Sequence, residues 1–319
     1  MPKNKSAGLR NMPEYIYGPV PSRRLGFSLG VDILPYKTCS MDCIYCQLGA
    51  SPKTTLRRRE FIPTEKVVAQ IKGFLRSGKK IDAITFSGSG EPTLHSGIGR
   101  MIHGIKKISK IPVVVLTNSS VLASAKGQKE LFDADIVVPS LDATTPEVFK
   151  KTNRPHHGLT VKKIIDGLVR FRQEYKGRIW LEVMLVKGIN DNPAHLAKLK
   201  RAIAKIQPDK IQLNTVVRPP AEKFAKPLTR AELNKIRTFF GENTEIIADF
   251  KRGGQSLSSR DAREAILATV RRRPVTARDI SLSLGMPLEE IQACTDRLVE
   301  EEMLKRIAHK GKEYYEPCT

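Results

Sequence analysis

Three cysteines lie close together near the start of the chain, at Cys39, Cys43 and Cys46, separated by three residues and then by two. A single tight loop with this spacing can aim three thiolates at one iron–sulfur cluster. A 4Fe–4S cluster has four irons and normally takes four thiolates. The remaining cysteines, Cys294 and Cys318, lie far away in the sequence. The triplet therefore predicts a 4Fe–4S cluster with one iron open to an outside ligand.

Other roles for the three thiols fit less well. Structural zinc prefers four ligands, usually in two close pairs, and the spacing of His95 and His103 does not mark either as the fourth ligand. A disulfide would leave one cysteine of the triplet over and would suit a secreted chain. Three unrelated buried thiols are the remaining alternative. The sequence favours the cluster over all three.

The length of the chain allows one large domain and one small domain, since it has 319 residues. No apolar run is long enough to span a bilayer, so we expect no membrane partner. The first residues, Met-Pro-Lys-Asn-Lys, lack the apolar core of a signal peptide. Reduced thiols and an oxygen-sensitive cluster without an export signal predict a cytoplasmic protein.

The positive charge of the chain is unevenly distributed. Residues 256–319 hold 11 Lys and Arg against 11 Asp and Glu, so the whole net charge of +22 falls on residues 1–255. Such a field attracts phosphates, acidic peptides or anionic surfaces. The run Arg57, Arg58 and Arg59 follows the cysteine loop and is a candidate for a substrate rim, although basic runs are often only solvating.

Predicted strands and helices alternate along residues 28–248. This alternation is typical of an α/β protein with a parallel sheet, open or closed into a barrel. Two helices are expected to begin with the N-caps Thr64 and Thr160. The predicted strands are 28–34, 81–86, 113–116, 136–139, 179–186, 210–213 and 245–248. The other predicted helices lie around 97–109, 122–132, 146–151, 193–206 and 229–240.

Polar segments follow three successive predicted strands, at the end where ligands bind in parallel α/β barrels. The first is rich in glycine, which lets the backbone approach a ligand closely. The other two carry short side chains that suit a ribose or a carboxylate, although helix caps use the same residue types. A phosphate loop would need Lys and Ser or Thr where Glu91 and Pro92 stand. The segments contain Gly88, Ser89, Gly90 and Glu91, then Thr117, Asn118 and Ser119, then Ser140 and Asp142.

Further charged and polar residues are candidates for contact with a substrate. Arginines suit carboxylates and phosphates, and paired histidines suit proton transfer. Surface capping is the alternative role for the residues that end strands. These candidates are Arg23, Arg24, His156, His157, Glu182, Asn214 and Arg218.

The cysteine loop, with Tyr45 just before its last cysteine, resembles the cluster loop of the radical S-adenosylmethionine (SAM) superfamily. Residues 88–91 resemble that superfamily's motif for the SAM ammonium group, with Ser89 between the two glycines as a variant. The resemblance implies that SAM chelates the open iron through its amino and carboxylate groups. It also implies that an electron from the cluster cleaves SAM to methionine and a 5′-deoxyadenosyl radical, which abstracts a hydrogen from the substrate.

The same resemblance implies a partial TIM-type (β/α)6 barrel in residues 1–250 and an electron donor of the flavodoxin or ferredoxin type. It assigns SAM binding to Tyr45 and to the strand-end segments named above. Residues 17–250 further resemble the group of the tRNA wyosine-base synthases. Those synthases carry extra cysteines for a second cluster, which this chain lacks outside its C-terminal part. We therefore do not transfer their reaction.

Residues 259–319 resemble a winged helix-turn-helix domain, reached through a linker at 251–258. Helices are expected at 260–272, 276–284 and 288–303, and a β-hairpin at 304–315. The third helix carries many carboxylates, which disfavours contact with DNA phosphates. We favour a contact with protein or peptide, or a lid over the barrel, while Lys310 and Lys312 in the hairpin keep nucleic acid open.

Two function classes follow from these patterns. The first is a radical SAM enzyme of the iron–sulfur oxidoreductase type that modifies RNA or a nucleotide, or a peptide or protein. The second is a DNA-binding regulator that senses iron or redox state through its cluster. The ordered strand-end segments favour the enzyme, because a regulator has no use for them.

Overall fold

The computed structural model describes residues 15–22, 24–51, 53–248, 259–270, 274–284, 286–309 and 311–318. The predicted linker at 251–258, Arg23 and Lys310 lie outside these ranges. Among the described residues, the structure contains no helix with the length and apolar character needed to cross a bilayer.

The centre of the molecule is a single eight-stranded sheet in which the strands follow each other in chain order. The first pair is antiparallel, and every later pair is parallel. The α/β class and the parallel sheet predicted from the sequence are thus confirmed. The strands are β1 (Ile16–Ser22), β2 (Gly26–Val31), β3 (Ala83–Phe86), β4 (Val113–Thr117), β5 (Ile136–Pro139), β6 (Arg178–Leu185), β7 (Lys210–Thr215) and β8 (Thr244–Ile246).

Strand β1 was not expected from the sequence. It carries Pro19 and Pro21, which cannot donate ladder hydrogen bonds and are tolerated at the edge of a sheet. Its ladder with β2 is irregular between Tyr17 and Val20. Prolines at alternate positions are typical of a loop. The sequence therefore did not predict the hairpin with which the sheet begins.

The helices pack on the sheet as the alternation predicts. Thr160 caps α5 as expected, since its side chain accepts a hydrogen bond from the Lys163 amide. The prediction for Thr64 was wrong: Pro63 occupies the cap position, and the Thr64 hydroxyl donates to Glu60. The helices are α1 (Thr64–Arg76), α2 (Ile98–Ile108), α3 (Ala125–Lys129), α4 (Pro146–Asn153), α5 (Val161–Glu174), α6 (Pro193–Ile206) and α7 (Arg230–Phe240).

The C-terminal elements form a second apolar core of their own. They are α8 (Ser259–Val270), α9 (Ala277–Leu284), α10 (Leu288–Glu300), β9 (Leu304–His309) and β10 (Lys312–Pro317). The order of three helices and an antiparallel hairpin is as predicted; the winged-helix assignment and the domain bounds stay predictions. Helices α8 and α9 pack against β1, and the Tyr314 hydroxyl donates to the Val217 carbonyl over 2.8 Å.

Candidate functional site

A cleft of about 350 Å³ opens at the carboxyl ends of the parallel strands. This is the edge at which α/β barrels place their ligands. The cysteine loop and the turns after β3, β4 and β5 line this cleft together. The residues predicted from the sequence that line this cleft are Cys39, Cys43, Tyr45, Cys46, Gly88, Gly90, Glu91, Thr117, Asn118 and Ser140.

The cysteine loop is fixed to the barrel by backbone hydrogen bonds. The Glu91 amide donates to the Thr38 carbonyl over 2.9 Å, and the Ile44 amide donates to the Thr152 carbonyl over 3.0 Å. Gly90 pairs with Thr38 so closely that a Cβ atom at this glycine would lie 2.0 Å from the Thr38 oxygen. The glycine-rich turn after β3 therefore holds the start of the cysteine loop and sets where its thiols point.

The thiols of Cys39, Cys43 and Cys46 all line the cleft. Side-chain amides approach two of them: Asn118 Nδ2 donates to Cys39 Sγ and Asn153 Nδ2 to Cys43 Sγ, each over 3.5 Å. Such donors tune cluster sulfurs. In the described part of the chain, no three His, Cys, Asp or Glu side chains converge on one point as for a single metal ion. A cluster differs from a single ion in this respect, because each of its thiolates binds a different iron.

The metal-free thiols are held in their neutral form. Burial, with the Glu91 carboxylate as a second cause, raises the pKa of Cys39 to about 12. Burial also raises the pKa of Cys43 well above its usual value, and the neighbouring Cys39 adds to the effect. A cluster takes thiolates, so its binding must displace these protons, and the positive charge of the irons would compensate the buried thiolates.

Glu91 is buried and joins the turns after β3 and β4. Its Oε1 accepts from the Thr117 hydroxyl over 2.7 Å, and its Oε2 accepts from the Asn118 amide over 2.6 Å. Burial raises the pKa of Glu91, while these hydrogen bonds and those from Thr93 act in the opposite direction. The carboxylate is therefore fixed at the cleft surface, where a ligand ammonium group would meet a preoriented acceptor.

The glycine-rich turn has a partner that sequence reasoning missed. Ser89 does not line the cleft; its amide and hydroxyl donate to Asp32 over 3.1 and 2.6 Å. Gly88 has φ +145°, and a Cβ atom there would lie 2.3 Å from the Asp32 carboxyl carbon. Asp32 directly follows β2, so it sits beside the end of β3 and holds the turn. The sequence signal that could have identified Asp32 is its position directly after a buried strand.

We expect Asp32→Ala to weaken SAM binding about tenfold and to lower the free energy of unfolding by about 1–3 kcal/mol. The physical reason is that the Ser89 amide loses its acceptor, and a buried unsatisfied donor costs about that much. Isothermal titration with SAM and thermal unfolding measure the two effects. Ser89→Ala is the matched control because it removes only the hydroxyl bond and should show the smaller effect. Unchanged SAM affinity in Asp32→Ala would contradict this role.

Besides Ser89, two predicted SAM ligands do not line the cleft, namely Ser119 and Asp142. The Asp142 carboxylate accepts from the Tyr45 hydroxyl, from Asn153 Nδ2 over 2.8 Å and from the Met184 amide over 2.9 Å. Burial raises its pKa to about 6. Ser119 is buried with φ +70°, and its hydroxyl donates to the Ser140 carbonyl over 2.7 Å. Both residues hold neighbouring groups in place, and Asp142 does so for Tyr45 within the cysteine loop.

The basic run after the cysteine loop does not form a rim of the cleft. Arg58 pairs with Glu130 and donates to the Thr93 carbonyl over 2.8 Å. The Arg59 guanidinium lies over the Phe61 ring, 4.6 Å from its centroid. The predicted substrate role for Arg58 was therefore wrong, because its charge is used within the fold. The ring centroids of His156 and His157 lie 4.1 Å apart with the rings tilted, and neither residue lines the cleft.

The cleft is also lined by a charged pair that the fold assembles from distant segments. Arg24, from the turn between β1 and β2, forms an ion pair with Glu182 of β6. Asn214 of β7 donates to the same carboxylate over 2.9 Å. Arg218 also lines the cleft, and its Nη1 donates to Gln47, next to Cys46, over 3.0 Å. Four residues that the sequence marks as candidates for substrate contact thus line the same cleft: Arg24, Glu182, Asn214 and Arg218.

Comparison with known proteins agrees with the geometry of the cleft. Residues 33–199 match the family model described as the Radical SAM superfamily. A UPF0026 protein of Methanocaldococcus jannaschii is 32% identical over 308 residues, which cover 94% of this chain and 94% of that protein. A Brachyspira hyodysenteriae protein named GTPase Obg is 36% identical over 303 residues, which cover 93% of this chain. This chain spans 43% of the length of that relative.

Two further similarities are partial or structural. A GTP 3′,8-cyclase of Limosilactobacillus fermentum is 32% identical over 162 residues, which cover 48% of this chain and 45% of that enzyme. A radical SAM methyltransferase from Sphaerobacter thermophilus superposes with a TM-score of 0.54 at 18% identity. That superposition covers 72% of this chain and 69% of the other. The superposition with the methyltransferase shows that the two proteins share a fold.

Proposed function

We propose that this chain, which belongs to the radical SAM superfamily, uses a cluster at Cys39, Cys43 and Cys46 to cleave SAM and remove a hydrogen atom from a nucleotide or RNA. It is a radical SAM enzyme, with a 4Fe–4S cluster and SAM as its cofactors. The observation that carries the proposal is that the three thiols and the Glu91 turn line one cleft. When bound, the cofactors supply a carbon radical.

The residues of the chain bind and orient the cofactors. The thiolates of Cys39, Cys43 and Cys46 would hold the cluster, which would supply the electron for SAM cleavage. Gly88 and Gly90 let the backbone come close to the SAM methionine group, and Glu91 is placed to accept from its ammonium. Asn118 and Ser140 line the same cleft and are assigned to the remaining polar groups of SAM. Ser89, Ser119 and Asp142 support the site from behind.

The nucleotide or RNA substrate class is supported by charge and by similarity. All the net positive charge of the chain falls on residues 1–255, which contain the cleft, and a positive surface attracts phosphates. The partial relative is named GTP 3′,8-cyclase. The likeness of residues 17–250 to the tRNA wyosine-base synthases also favours RNA, although the cysteines for a second cluster are missing. A peptide or protein substrate is the alternative.

We expect the holoenzyme to bind bulk tRNA with an affinity that falls steeply as salt rises, because counterions leave the phosphates on binding. Filter binding at several salt concentrations gives the slope of log affinity against log salt. A slope of several units supports contact with as many phosphates. Poly-glutamate is a useful competitor, because it carries negative charge without phosphates. Absence of tRNA binding at low salt would remove RNA from the candidate substrates and leave free nucleotides and peptides.

The C-terminal helices and hairpin are assigned to a lid or to a contact with a protein partner. Helices α8 and α9 lie on β1, and Tyr314 reaches Val217, which lines the cleft. On α10, Glu289, Glu290 and Glu300 are exposed, a poor surface for DNA phosphates. A DNA-binding regulator is therefore not supported. A cytoplasmic location and a flavodoxin or ferredoxin as electron donor complete the proposal.

The decisive experiment is anaerobic. The cluster is reconstituted, SAM and dithionite are added without substrate, and 5′-deoxyadenosine is measured by chromatography. Slow formation of 5′-deoxyadenosine supports the proposed chemistry. If none forms, the electron paramagnetic resonance spectrum of the reduced cluster is recorded with and without SAM. A spectrum that SAM leaves unchanged would overturn the proposal, because SAM would then not reach the open iron.

A further inference from the structure

The cleft is lined by two charged side chains that form an ion pair, Arg24 and Glu182, called here the polar floor. Glu182 lies on β6, two residues before Met184, which also lines the cleft. Their side chains are 9% and 15% exposed. Arg24 Nε donates to Gln212 over 2.8 Å, and Asn214 Nδ2 donates to Glu182 over 2.9 Å. The floor is thus braced by two amides of β7.

The polar floor lies directly above an apolar layer. Trp180, two residues before Glu182 on the same face of β6, packs with Leu25, Val114 and Val138. Branched apolar side chains normally fill the interior of an α/β barrel, and this layer does so. The fold therefore places a charged pair at the level where further apolar packing would otherwise continue.

A buried ion pair is weak evidence for a stabilising role in the barrel. Removing two charges from water costs free energy that their attraction seldom exceeds, so apolar replacements of a buried pair are often neutral or stabilising. Arg24 is brought to Glu182 by the β1–β2 hairpin, 158 residues away in the sequence. A contact that adds little stability but lines the cleft points to recognition of a ligand.

The polar floor retains hydrogen-bonding capacity toward the cleft. Arg24 uses Nε for Gln212 and Nη2 for Glu182, and its Nη1 has no acceptor among the residues that the structure describes. The Glu182 carboxylate accepts one bond on each oxygen, whereas it has about four acceptor sites. A donor and an acceptor therefore stand side by side in the cleft.

The complement of this surface is a planar edge with an acceptor beside a donor. The pairing edge of every nucleobase has such an arrangement. A trans peptide group directs its N–H and C=O to opposite sides and cannot place both on one edge. The positive charge of residues 1–255 adds an attraction for the attached phosphate.

We propose that Arg24 and Glu182 bind the base of a nucleotide or nucleotide-containing substrate through its pairing edge. This inference rests on the proposed function, since it names the substrate subsite of the same cleft. The floor adjoins the turns that are assigned to SAM, because Glu182 pairs with Ser140 at the end of β5. A base bound at the floor would therefore lie next to the assigned SAM site.

The chain supplies its own probe for this subsite. Trp180 is the single tryptophan of the sequence, it lies two residues from Glu182, and it is 7% exposed. Its fluorescence is titrated in the holoenzyme at saturating SAM with GMP, AMP, CMP, UMP and, as a ligand without a base, ribose 5-phosphate. We expect at least one nucleotide to bind at least tenfold more tightly than ribose 5-phosphate. Equal affinities would overturn the proposal.

A double variant tests the pair itself. Arg24→Met with Glu182→Leu removes both charges at similar volume, so it should keep the melting temperature of the native protein and lose at least tenfold in nucleotide affinity. The matched control is Arg58→Met with Glu130→Leu, a pair with 21% and 20% exposure that does not line the cleft. This control should bind nucleotides as the native protein does. If the double variant does not fold, Glu182→Gln tests the same point, since it replaces an acceptor by a donor and should change which base binds best.

Three results would overturn the inference. Nucleotide affinity could be unchanged in the double variant and in Glu182→Gln. The variants could lose SAM affinity and keep nucleotide affinity, which would place the floor in the SAM site. Short peptides with Asn or Gln, whose primary amides also present both groups on one edge, could bind more tightly than nucleotides. Formation of 5′-deoxyadenosine by the native enzyme is measured separately, so failure of the radical chemistry and failure of the base subsite are distinguishable.

Discussion

Replacing Cys43 by Ala should abolish both the 4Fe–4S cluster and the formation of 5′-deoxyadenosine. With Cys39 and Cys46 alone, two irons would lack protein thiolates. The other two cysteines cannot replace Cys43, because Cys294 packs in the C-terminal core and Cys318 follows that core. Iron and sulfide analysis, the cluster absorbance and chromatography of 5′-deoxyadenosine measure the effect. We expect product below detection, a loss of several orders of magnitude.

Cys318→Ala is the control for this substitution, because Cys318 is exposed and does not line the cleft. It should keep the iron content and the rate of the native protein. SAM-dependent 5′-deoxyadenosine from Cys43→Ala at the native rate would show that the triplet does not hold the catalytic cluster. The thermal unfolding of both variants is measured without metal, so that loss of the cluster is separated from loss of the fold.

Replacing Gly90 by Ala should lower 5′-deoxyadenosine formation by about 100-fold, the size expected when a displacement of about 1 Å disturbs a reacting geometry. The new methyl group would stand 2.0 Å from the Thr38 carbonyl oxygen. That atom belongs to the backbone and cannot turn aside as a flexible side chain could. The start of the cysteine loop and the Glu91 turn must therefore move apart, and overpacking of this kind costs about 1–3 kcal/mol of stability.

Gly73→Ala is the matched control for the glycine substitution. Gly73 lies in α1, and a Cβ atom there meets nothing within 4 Å. Alanine is the better helix former, so this control should stabilise the protein by about 0.5–1 kcal/mol and leave SAM cleavage unchanged. A native rate of SAM cleavage in Gly90→Ala would mean that the contact with Thr38 does not set the geometry of the site.

Much of the candidate site could be predicted because it depends on local chemistry. The spacing of Cys39, Cys43 and Cys46 is a property of one loop, and it predicts the cluster without any tertiary information. The strand-end positions of Glu91 and Asn118 follow from the alternation of buried strands and helices. Parallel strands end at one edge, so residues that follow successive strands meet there. For these residues, the local sequence pattern and the strand topology are sufficient to predict their place in the site.

Other roles depend on contacts between distant segments. Asp142 is a short carboxylate after a strand, as a SAM ligand would be. Its Oδ2, however, accepts hydrogen bonds from Tyr45 and Asn153 behind the cleft. Asp32 supports the glycine-rich turn only because β2 lies beside β3. Whether such a side chain faces the cleft or a neighbouring turn is set by packing, which residue types alone do not specify.

By itself, the sequence determined the cluster loop, the α/β class and the edge of the sheet that carries the chemistry, because spacing and periodicity act within short stretches of chain. The tertiary structure decided the rest. It added β1, whose prolines conceal a strand, and it brought Arg24 from that hairpin to Glu182 across 158 residues. The energy of such an ion pair depends on its burial and its neighbours, and those exist only once the barrel has formed.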